Sequence, residues 1–345
     1  MKAARERLKK ALTVSAPNPV KKEDNKRREI RECTEGDVQR RYRLGARVME
    51  STNAGMDVVF ATRLTDKAEV VIKTRQKPKS FKSATEEREW RNSTVYQLNM
   101  PKIPTLCELY EVLETKGCYY IVMEKVGGKD LFETLVEEKL SVGDAREIVK
   151  QTLDALTALH RDGRIHKDLK IETIMVDIDS PKFSKARRNS RLSTGSVPSV
   201  PDSPGEVKLI DFDTVQDWEP TSPKARDVLG TDGYIAPEAY TGDYSPASDI
   251  YAVGVIMYKL LTGKFPNRPE IFDDQPGENY VGSPAMKRIK DRLRTEVIDY
   301  RKPPLNRIPE AADLLQRMLA FDAASRPASD EASRHPFFAL EFDED

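Results

Sequence analysis

The sequence has few cysteines, no excess of charge of either sign and no long hydrophobic run. Its three cysteines lack the spacing of metal ligands, and their odd number argues against a disulfide framework, so we expect a reducing compartment. Lysine plus arginine and aspartate plus glutamate each number 57, which makes the formal net charge zero. Because such a chain has no global basic field to gather nucleic acid, we expect no nucleic-acid partner.

The apolar segments are too short for a membrane-spanning protein. The longest mostly apolar run, from Ile250 to Leu261, contains Lys259 and falls short of the length that crosses a bilayer, so it predicts a buried helix. The segment that follows Met1 is charged throughout and lacks the apolar centre of a signal peptide. We therefore expect an intracellular protein, cytoplasmic or nuclear, with no membrane partner.

The first part of the chain predicts a small sheet. Residues 1–41 are dominated by charge and predict a solvated tail or a peripheral helix, with a short amphipathic docking helix as the alternative. Across residues 42–124, β-branched runs separated by turn residues predict five antiparallel strands. One helix is predicted among them, with Ser83 as its N-cap and Glu86 as the capping-box partner.

The second part of the chain is helical in character. Across residues 127–340, apolar residues recur at three- and four-residue spacing, which predicts a larger helical lobe. A sheet-rich lobe followed by a helical lobe is an α+β arrangement, and a cleft is expected where the two meet. Residues 178–206 are rich in serine, proline and basic residues and almost lack large apolar ones, which predicts a disordered insertion.

Charged residues beside apolar strands point to phosphate chemistry. Lys73 ends the run "VVIK", Asp168 and Lys170 lie in "IHKDLKIET", and Asp211 lies in "VKLIDFD". One carboxylate can orient a hydroxyl nucleophile, the other can hold Mg²⁺, and the two lysines can neutralise phosphate oxygens.

In their order along the chain, these motifs resemble those of a eukaryotic-type protein kinase domain, similar to Ser/Thr kinases of the calcium/calmodulin- or cyclic-nucleotide-dependent kind. The segments "GTDGYIAPE", "SDIYAVGVIMYKLLTGKFP" and "SRPASDEASRHPFF" resemble the family's activation-segment end, central helix and closing segment. The resemblance runs from Tyr42 to Phe338, in a domain placed at residues 42–340. It implies a bilobal fold in which Arg326 pairs with Glu238.

The resemblance also implies a set of catalytic residues. Asp168 would accept the proton of the substrate hydroxyl or hold that hydroxyl in line, and Lys170 would balance charge on the transferred phosphoryl group. Thr231 would steady both side chains, and Asp249 would brace the loop that carries them. Lys73 would contact the α- and β-phosphates of ATP and pair with a helix glutamate. The candidates for this partner are Glu89, which we prefer, and its neighbours Glu86 and Glu87.

The nucleotide and metal sites are implied in the same way. The segment "IVMEKV" resembles the hinge, with Met123 as gatekeeper and the backbone from Glu124 to Val126 hydrogen-bonded to adenine. Val71 and Met175 would sandwich the adenine ring, and Asp130 would meet the ribose. The residues implied for Mg²⁺ are Asp211, Thr173 in place of the usual asparagine, and Asp213 in place of the usual glycine.

The resemblance further implies a protein substrate with a Ser or Thr acceptor. Lys170 and the segment "GTDGYIAPE" are typical of Ser/Thr kinases, and the latter disfavours a small-molecule kinase. Glu172 and Asp130 lie where kinases that prefer basic substrates place acids. Ser190 follows two arginines in "RRNS" and is either an autophosphorylation or pseudosubstrate site or part of an ordinary unstructured basic run.

Several departures from the family pattern leave two functions open. The loop from Met49 to Met56 should be rich in glycine to cover the nucleotide, but it keeps only Gly55. Thr173 and Asp213 are the other departures. One hypothesis is an active kinase. A decayed site should lose unpaired buried charges first, but this sequence retains all four charged residues expected at the site, Lys73, Asp168, Lys170 and Asp211. The alternative is a pseudokinase that binds nucleotide weakly or not at all and acts as a scaffold or allosteric partner.

A last prediction concerns regulation. Lys167 replaces the arginine that usually precedes the catalytic aspartate, and Asp227 aligns with the usual phosphorylation site of the activation segment. A carboxylate facing Lys167 would mimic a phosphate, which predicts constitutive activity. Thr221, in "TSP", is a rival phosphorylation site that would restore a switch.

Overall fold

The structure is a computed structural model that describes residues 27–49, 55–180 and 207–341. Most of the predicted insertion at 178–206, including Ser190, lies outside the described residues, as do residues 50–54 of the glycine-poor loop. The chain divides into two units, Met1–Val126 and Gly127–Asp345. The first is built around a sheet and the second is mostly helical, so the α+β prediction is confirmed.

The first unit contains a six-stranded sheet in the order β1-β5-β6-β4-β3-β2. Its strands are β1 (Arg31–Glu32), β2 (Tyr42–Met49), β3 (Met56–Arg63), β4 (Glu69–Gln76), β5 (Leu109–Glu114) and β6 (Cys118–Glu124). The five predicted antiparallel strands are β2 to β6. The structure adds a sixth strand to these five, since β1 pairs with β5 in parallel. A strand of two residues is too short to show the alternation by which strands are recognised.

Three helices, rather than the one predicted, lie in the described part of this unit: α1 (Glu35–Arg41), α2 (Lys77–Ser80) and α3 (Ala84–Leu98). The N-cap of α3 is confirmed, since Ser83 Oγ accepts from the N–H of Glu86 at 3.2 Å. The reciprocal half of the capping box differs. The Glu86 carboxylate accepts from the N–H of Lys82, at 2.7 Å, instead of from that of Ser83.

Helix α1 lies in the segment whose sequence predicts a tail or a peripheral helix. Thr34 begins it with a capping box, and Val38 is buried in one core cluster with Val70 and Ile72 of the sheet. Upstream, the backbone N–H of Arg28 donates to Asn99 Oδ1 at 2.7 Å, and Asn99 Nδ2 donates back to the Arg28 carbonyl at 2.8 Å. A domain boundary at residue 42 would thus leave out a helix that contributes to the core.

The second unit is built mainly of helices. They are α4 (Leu131–Glu137), α5 (Val142–Arg161), α6 (Pro246–Thr262), α7 (Pro284–Thr295), α8 (Pro309–Met318) and α9 (Ser329–Ala332). The short strands are β7 (Lys129–Asp130), β8 (Arg164–Ile165), β9 (Ile174–Val176), β10 (Val207–Leu209) and β11 (Gln216–Asp217). They form a three-stranded sheet, β10-β9-β7, and a β11-β8 pair.

Helix α6 is the apolar centre of the second unit. It is buried on nearly every side, as the run from Ile250 to Leu261 predicts. No helix in the described ranges has the length and hydropathy needed to cross a bilayer. The two strand pairs matter most for the site, because β8 and β9 flank the loop of residues 166–173 while β10 and β11 flank residues 210–215.

Candidate active site

Three polar side chains of the second unit form a connected group. Thr231 Oγ1 donates to Asp168 Oδ1 at 2.9 Å, and Lys170 Nζ donates to Thr231 Oγ1 at 2.9 Å. Lys170 Nζ also lies 3.5 Å from Asp168 Oδ2, and both side chains are partly exposed. The structure therefore brings together three residues that the sequence implies for catalysis.

The loop that carries Asp168 and Lys170 is held by the carboxylate of Asp249 on α6. Asp249 Oδ2 accepts from the N–H of His166 at 2.8 Å, and Oδ1 accepts from the N–H of Lys167 at 2.9 Å. His160 Nε2 lies 2.9 Å from the same carboxylate. Burial alone would raise the pKa of Asp249, but the hydrogen bonds from these partners hold it below its ordinary value. The predicted contact with the loop is present, and the carboxylate stays charged.

His166 packs inside the protein instead of facing a substrate. Its ring is fully buried against Phe212, with ring centroids 5.8 Å apart. Burial lowers the pKa of His166, which keeps the imidazole neutral. The ring therefore supports Phe212, the residue after Asp211, by packing.

Thr173 closes the loop on itself. Its hydroxyl accepts from the N–H of Lys170 at 3.1 Å and donates to the Lys170 carbonyl at 3.0 Å. The residue is 2% exposed. Both the proton and one lone pair of the hydroxyl are thus used within the loop, which makes Thr173 poorly suited to the metal contact that the resemblance implies.

Asp211 and Asp213 follow β10. The N–H of Ile210 donates to the Thr173 carbonyl at 2.9 Å, which ties this segment to the catalytic loop. Asp211 has a φ of 63°, a left-handed conformation that is unusual for a residue with a Cβ and that concentrates at functional sites. Across the described part of the chain, no three His, Cys, Asp or Glu side chains form a metal-binding group. A cation here would depend on one or two carboxylates.

The first unit holds the remaining phosphate-binding candidate, Lys73. Lys73 lies opposite Ile121, and Val71 lies opposite Met123, in the β4–β6 pair. Because side chains alternate along a strand, Val71, Lys73 and Met123 share one face of the sheet. The predicted adenine and phosphate contacts of this unit are therefore on the same surface.

The helix register distinguishes between the glutamates proposed as partners of Lys73. Trp90 and Thr94 are buried on α3, whereas Glu89 is exposed. Glu87 lies three residues before Trp90, on the same face, and accepts from the Tyr119 hydroxyl at 2.5 Å. Glu87 therefore lies on the buried side of α3 and Glu89 on the exposed side, while the pairing of either glutamate with Lys73 stays a prediction.

Sequence reasoning missed a polar cluster on this face of α3. One turn after Glu87, Arg91 Nη1 donates to Glu114 Oε2 at 2.5 Å and to the Tyr119 hydroxyl at 2.7 Å. Lys77 Nζ donates to the other Glu114 oxygen at 2.6 Å. The four-residue spacing of Glu87 and Arg91 indicates that they share one face of a helix, but it does not identify their partners.

The other nucleotide-binding candidates are divided between the units. In the first, the Glu124 carboxylate accepts from the N–H of Glu108 at 3.1 Å, and Val126 follows half-buried. In the second, Asp130 and Met175 lie directly opposite each other in the β7–β9 pair. Asp130 Oδ1 also caps α4, because it accepts from the N–H of Glu133 at 2.7 Å.

The predicted pairing of Lys167 with Asp227 is wrong. Lys167 Nζ donates to Gln216 Oε1 at 2.9 Å and lies 4.5 Å from the centre of the Tyr244 ring. Asp227 is exposed, and its backbone forms a bridge with Tyr280. The half-buried Lys167 amine thus contacts a neutral amide and an aromatic ring, and neither contact could be predicted from the alignment of Lys167 and Asp227 with the family pattern.

Comparison with known proteins agrees with this geometry. A protein-family model described as "Protein kinase domain" matches residues 54–338. Calcium-dependent protein kinase 4 of Plasmodium berghei is 28% identical over 241 residues, which cover 68% of this chain and 38% of that protein. The delta subunit of calcium/calmodulin-dependent protein kinase type II from Oryctolagus cuniculus is also 28% identical over 241 residues, with 69% and 38% covered.

A third relative is the hormonally up-regulated neu tumor-associated kinase of Mus musculus, which is 28% identical over 259 residues, with 73% of this chain and 32% of that protein covered. The chain thus spans about a third of the length of these relatives. The family match itself covers most of the chain and extends over part of the first unit and nearly all of the second. This protein belongs to the protein kinase family and has its bilobal α+β fold.

Proposed function

We propose that the protein is an active Ser/Thr protein kinase that transfers the γ-phosphate of ATP to a protein hydroxyl. The observation that carries this proposal is the connected group of Asp168, Lys170 and Thr231. A scaffold has no need to keep two opposite, partly exposed charges and a hydroxyl in mutual contact. Their retention supports a site that is maintained for chemistry.

Each member of the group has a distinct role in the proposed transfer. Thr231 occupies Asp168 Oδ1, so Oδ2 is available to accept the proton of a substrate hydroxyl and hold that hydroxyl in line. Lys170 lies 3.5 Å from Oδ2 and can balance negative charge on the group being transferred. Thr231 links the two and fixes their separation.

The charged residues also fit a nucleotide with a divalent cation. Mg²⁺ in such sites is bound by one or two carboxylates plus substrate phosphates, which Asp211 and Asp213 can provide without Thr173. When bound, the cation neutralises charge on the phosphate oxygens. Lys73, with Glu87 as its proposed helix partner, would meet the α- and β-phosphates.

The second candidate function is a pseudokinase that acts by binding alone. It is favoured by the observation that the Thr173 hydroxyl is committed to Lys170 and is buried. Without a ligand at this position, a second cation would be held weakly. Binding of nucleotide would then persist while transfer became slow.

Measurements of ATP binding and phosphoryl transfer distinguish these functions. We expect ATP with Mg²⁺ to raise the unfolding temperature more than ATP alone, and we expect radiolabel to pass from ATP to a Ser-containing peptide. Because the cation screens the phosphates, chelation by EDTA should abolish transfer. Stabilisation by ATP without any transfer would favour the pseudokinase. Phosphosite mapping of the same reaction, with Asp168→Asn as control, tests autophosphorylation at Ser190.

The surroundings of Glu172 bear on substrate preference. Glu172 Oε2 is buried and has no hydrogen-bond partner among the described residues. Nearby, the Tyr234 and Phe265 rings meet edge to face at 5.3 Å, and Lys259 Nζ lies 4.0 Å from the Phe265 ring centre. Burial lowers the pKa of Lys259, and the charge of Glu172 opposes this shift. Lys259 therefore offsets part of the negative charge that would attract a basic peptide.

We expect Lys259→Met to strengthen the preference for peptides with arginine upstream of the acceptor. The ratio of kcat/KM for an arginine peptide over its alanine counterpart should rise by about twofold to fivefold, the range of a partly exposed charge pair. Lys264→Met, at an exposed position two residues after the end of α6, is the matched control. An equal change in both variants would show that the effect comes from overall charge.

A further inference from the structure

The activation segment, residues 224–231, is attached to neighbouring backbone along its length. The N–H of Ala225 donates to the Gly242 carbonyl at 2.9 Å, and the N–H of Val281 donates to the Arg226 carbonyl at 2.8 Å. The N–H of Val228 donates to the Asn279 carbonyl at 2.7 Å. All three contacts join one backbone group to another.

Tyr244 makes the contact nearest to the catalytic group. Its hydroxyl accepts from the N–H of Leu229 at 2.6 Å and donates to the Leu229 carbonyl at 2.7 Å. One side chain thus satisfies both backbone polar groups of a single residue in the segment. Tyr244 is 8% exposed, so water does not readily replace it.

Only one residue separates Leu229 from Thr231, so a contact that fixes Leu229 also restricts the position of Thr231. The residue between them, Gly230, has a φ of 126°, and a Cβ there would come within 3.2 Å of the Lys167 carbonyl and 3.0 Å of Ile235. A residue with a Cβ would therefore be strained by this φ and would crowd the catalytic loop. Thr231 then donates to Asp168.

Lys167 packs against the ring of Tyr244, the residue whose hydroxyl binds Leu229. Its Nζ lies over the Tyr244 ring at 4.5 Å, while its N–H donates to Asp249. Burial lowers the pKa of Lys167 to about 8, and Asp249 is the charged group that acts on it, since Gln216 and Tyr244 are neutral partners. The amine is thus occupied within the protein.

We propose that Tyr244, supported by Lys167, is a positioning residue that holds Leu229 and, through it, Thr231 and Asp168 in working geometry. The site then needs no phosphate on the activation segment, because Gln216 and Tyr244 already hold the Lys167 amine that would otherwise meet one. This regulation rests on the proposed kinase function, but the contact itself can be measured without it. The Tyr244 contact, rather than an Asp227 carboxylate that mimics a phosphate, is thus the reason to expect constitutive activity.

Hydrogen exchange tests the contact independently of catalysis. In Tyr244→Phe, the amide of Leu229 should exchange at least about tenfold faster, because its acceptor is lost while the ring remains for Lys167. The matched control is Tyr240→Phe, since the buried Tyr240 hydroxyl has no partner within the described ranges. Equal protection of Leu229 in both variants, each shown to be folded by thermal unfolding, would overturn the proposal.

Kinetics test the consequence for the site. Tyr244→Phe should lower kcat by about tenfold with little change in the KM for ATP, and Tyr240→Phe should leave both unchanged. Phosphatase treatment should leave the wild-type rate unaltered; loss of activity on treatment would overturn the proposal in favour of a switch such as Thr221. If the wild type transfers no phosphate, the kinase function fails, and the exchange result still decides the contact.

The pH dependence of kcat distinguishes the proposed role of Lys167 from a purely structural one. Wild-type kcat should fall between pH 7 and 9 as Lys167 loses its proton and its attraction to the Tyr244 ring. Lys167→Arg keeps its charge over this range and should remove the part of the decline due to Lys167. Identical profiles for the two proteins would exclude Lys167 from the proposed support.

Discussion

Replacing Asp168 by asparagine is expected to lower kcat for phosphoryl transfer by about 10²-fold to 10⁴-fold, the range for removal of a positioned proton acceptor. Asparagine keeps the size of the side chain and can still accept from Thr231 at Oδ1. It cannot take a proton at Oδ2, and its amide no longer offers Lys170 a negative partner at 3.5 Å. The loss should therefore appear in kcat, with the KM for ATP nearly unchanged.

The control for this prediction is Asp154→Asn on α5. Asp154 is an exposed aspartate paired with Lys150 at 2.8 Å, so its replacement removes the same charge away from the site. Initial rates and thermal unfolding should be measured for both variants. If Asp168→Asn keeps more than about a tenth of the wild-type kcat, Asp168 is not the proton acceptor in transfer.

The catalytic loop could be anticipated because its chemistry is local in sequence. Asp168 and Lys170 are two residues apart, so a motif is enough to place them near each other. Thr231 is distant in sequence, and its contact with both was implied by resemblance, not by spacing. Asp249 and Arg326 are similar cases, where a long-range contact was implied by family pattern and then found.

Other features depended on tertiary structure that no sequence pattern expresses. That Glu87 lies on the buried side of α3 and Glu89 on the exposed side follows from the face that Trp90 buries against the sheet. Tyr244 and Gln216 had no signal at all, because a hydroxyl or amide becomes important only once the fold brings a partner to it. The same holds for Arg28, whose backbone pairs with Asn99 far along the chain.

Replacing Arg326 by methionine is expected to destabilise the second unit by about 3–5 kcal/mol, the cost of breaking a buried ion pair from one side. The Arg326 side chain is 0% exposed. Its Nη1 and Nη2 donate to the two oxygens of Glu238 at 2.7 and 2.8 Å. The remaining donors reach the carbonyl oxygens of Ala320, Ala247 and Phe321.

Methionine satisfies none of these acceptors and leaves the Glu238 carboxylate without its cation. Glu238 keeps one hydrogen bond, from Ser248 Oγ at 2.8 Å, which offsets little of the cost of a buried charge. Denaturant unfolding followed by the fluorescence of Trp218, which packs against a core cluster of this unit, measures the loss. Arg317→Ala is the control, because its pair with Asp313 is exposed and should contribute about 0–1 kcal/mol.

A second substitution separates the pair from the packing around it. If the unpaired charge causes most of the loss, adding Glu238→Gln to Arg326→Met should recover part of the stability, because the double variant buries no net charge. If the double variant is less stable than Arg326→Met by the full cost of Glu238→Gln alone, the two side chains are not coupled. The loss would then come from the three unsatisfied carbonyl groups, and Arg326 would stabilise the unit as a hydrogen-bond donor rather than as the partner of Glu238.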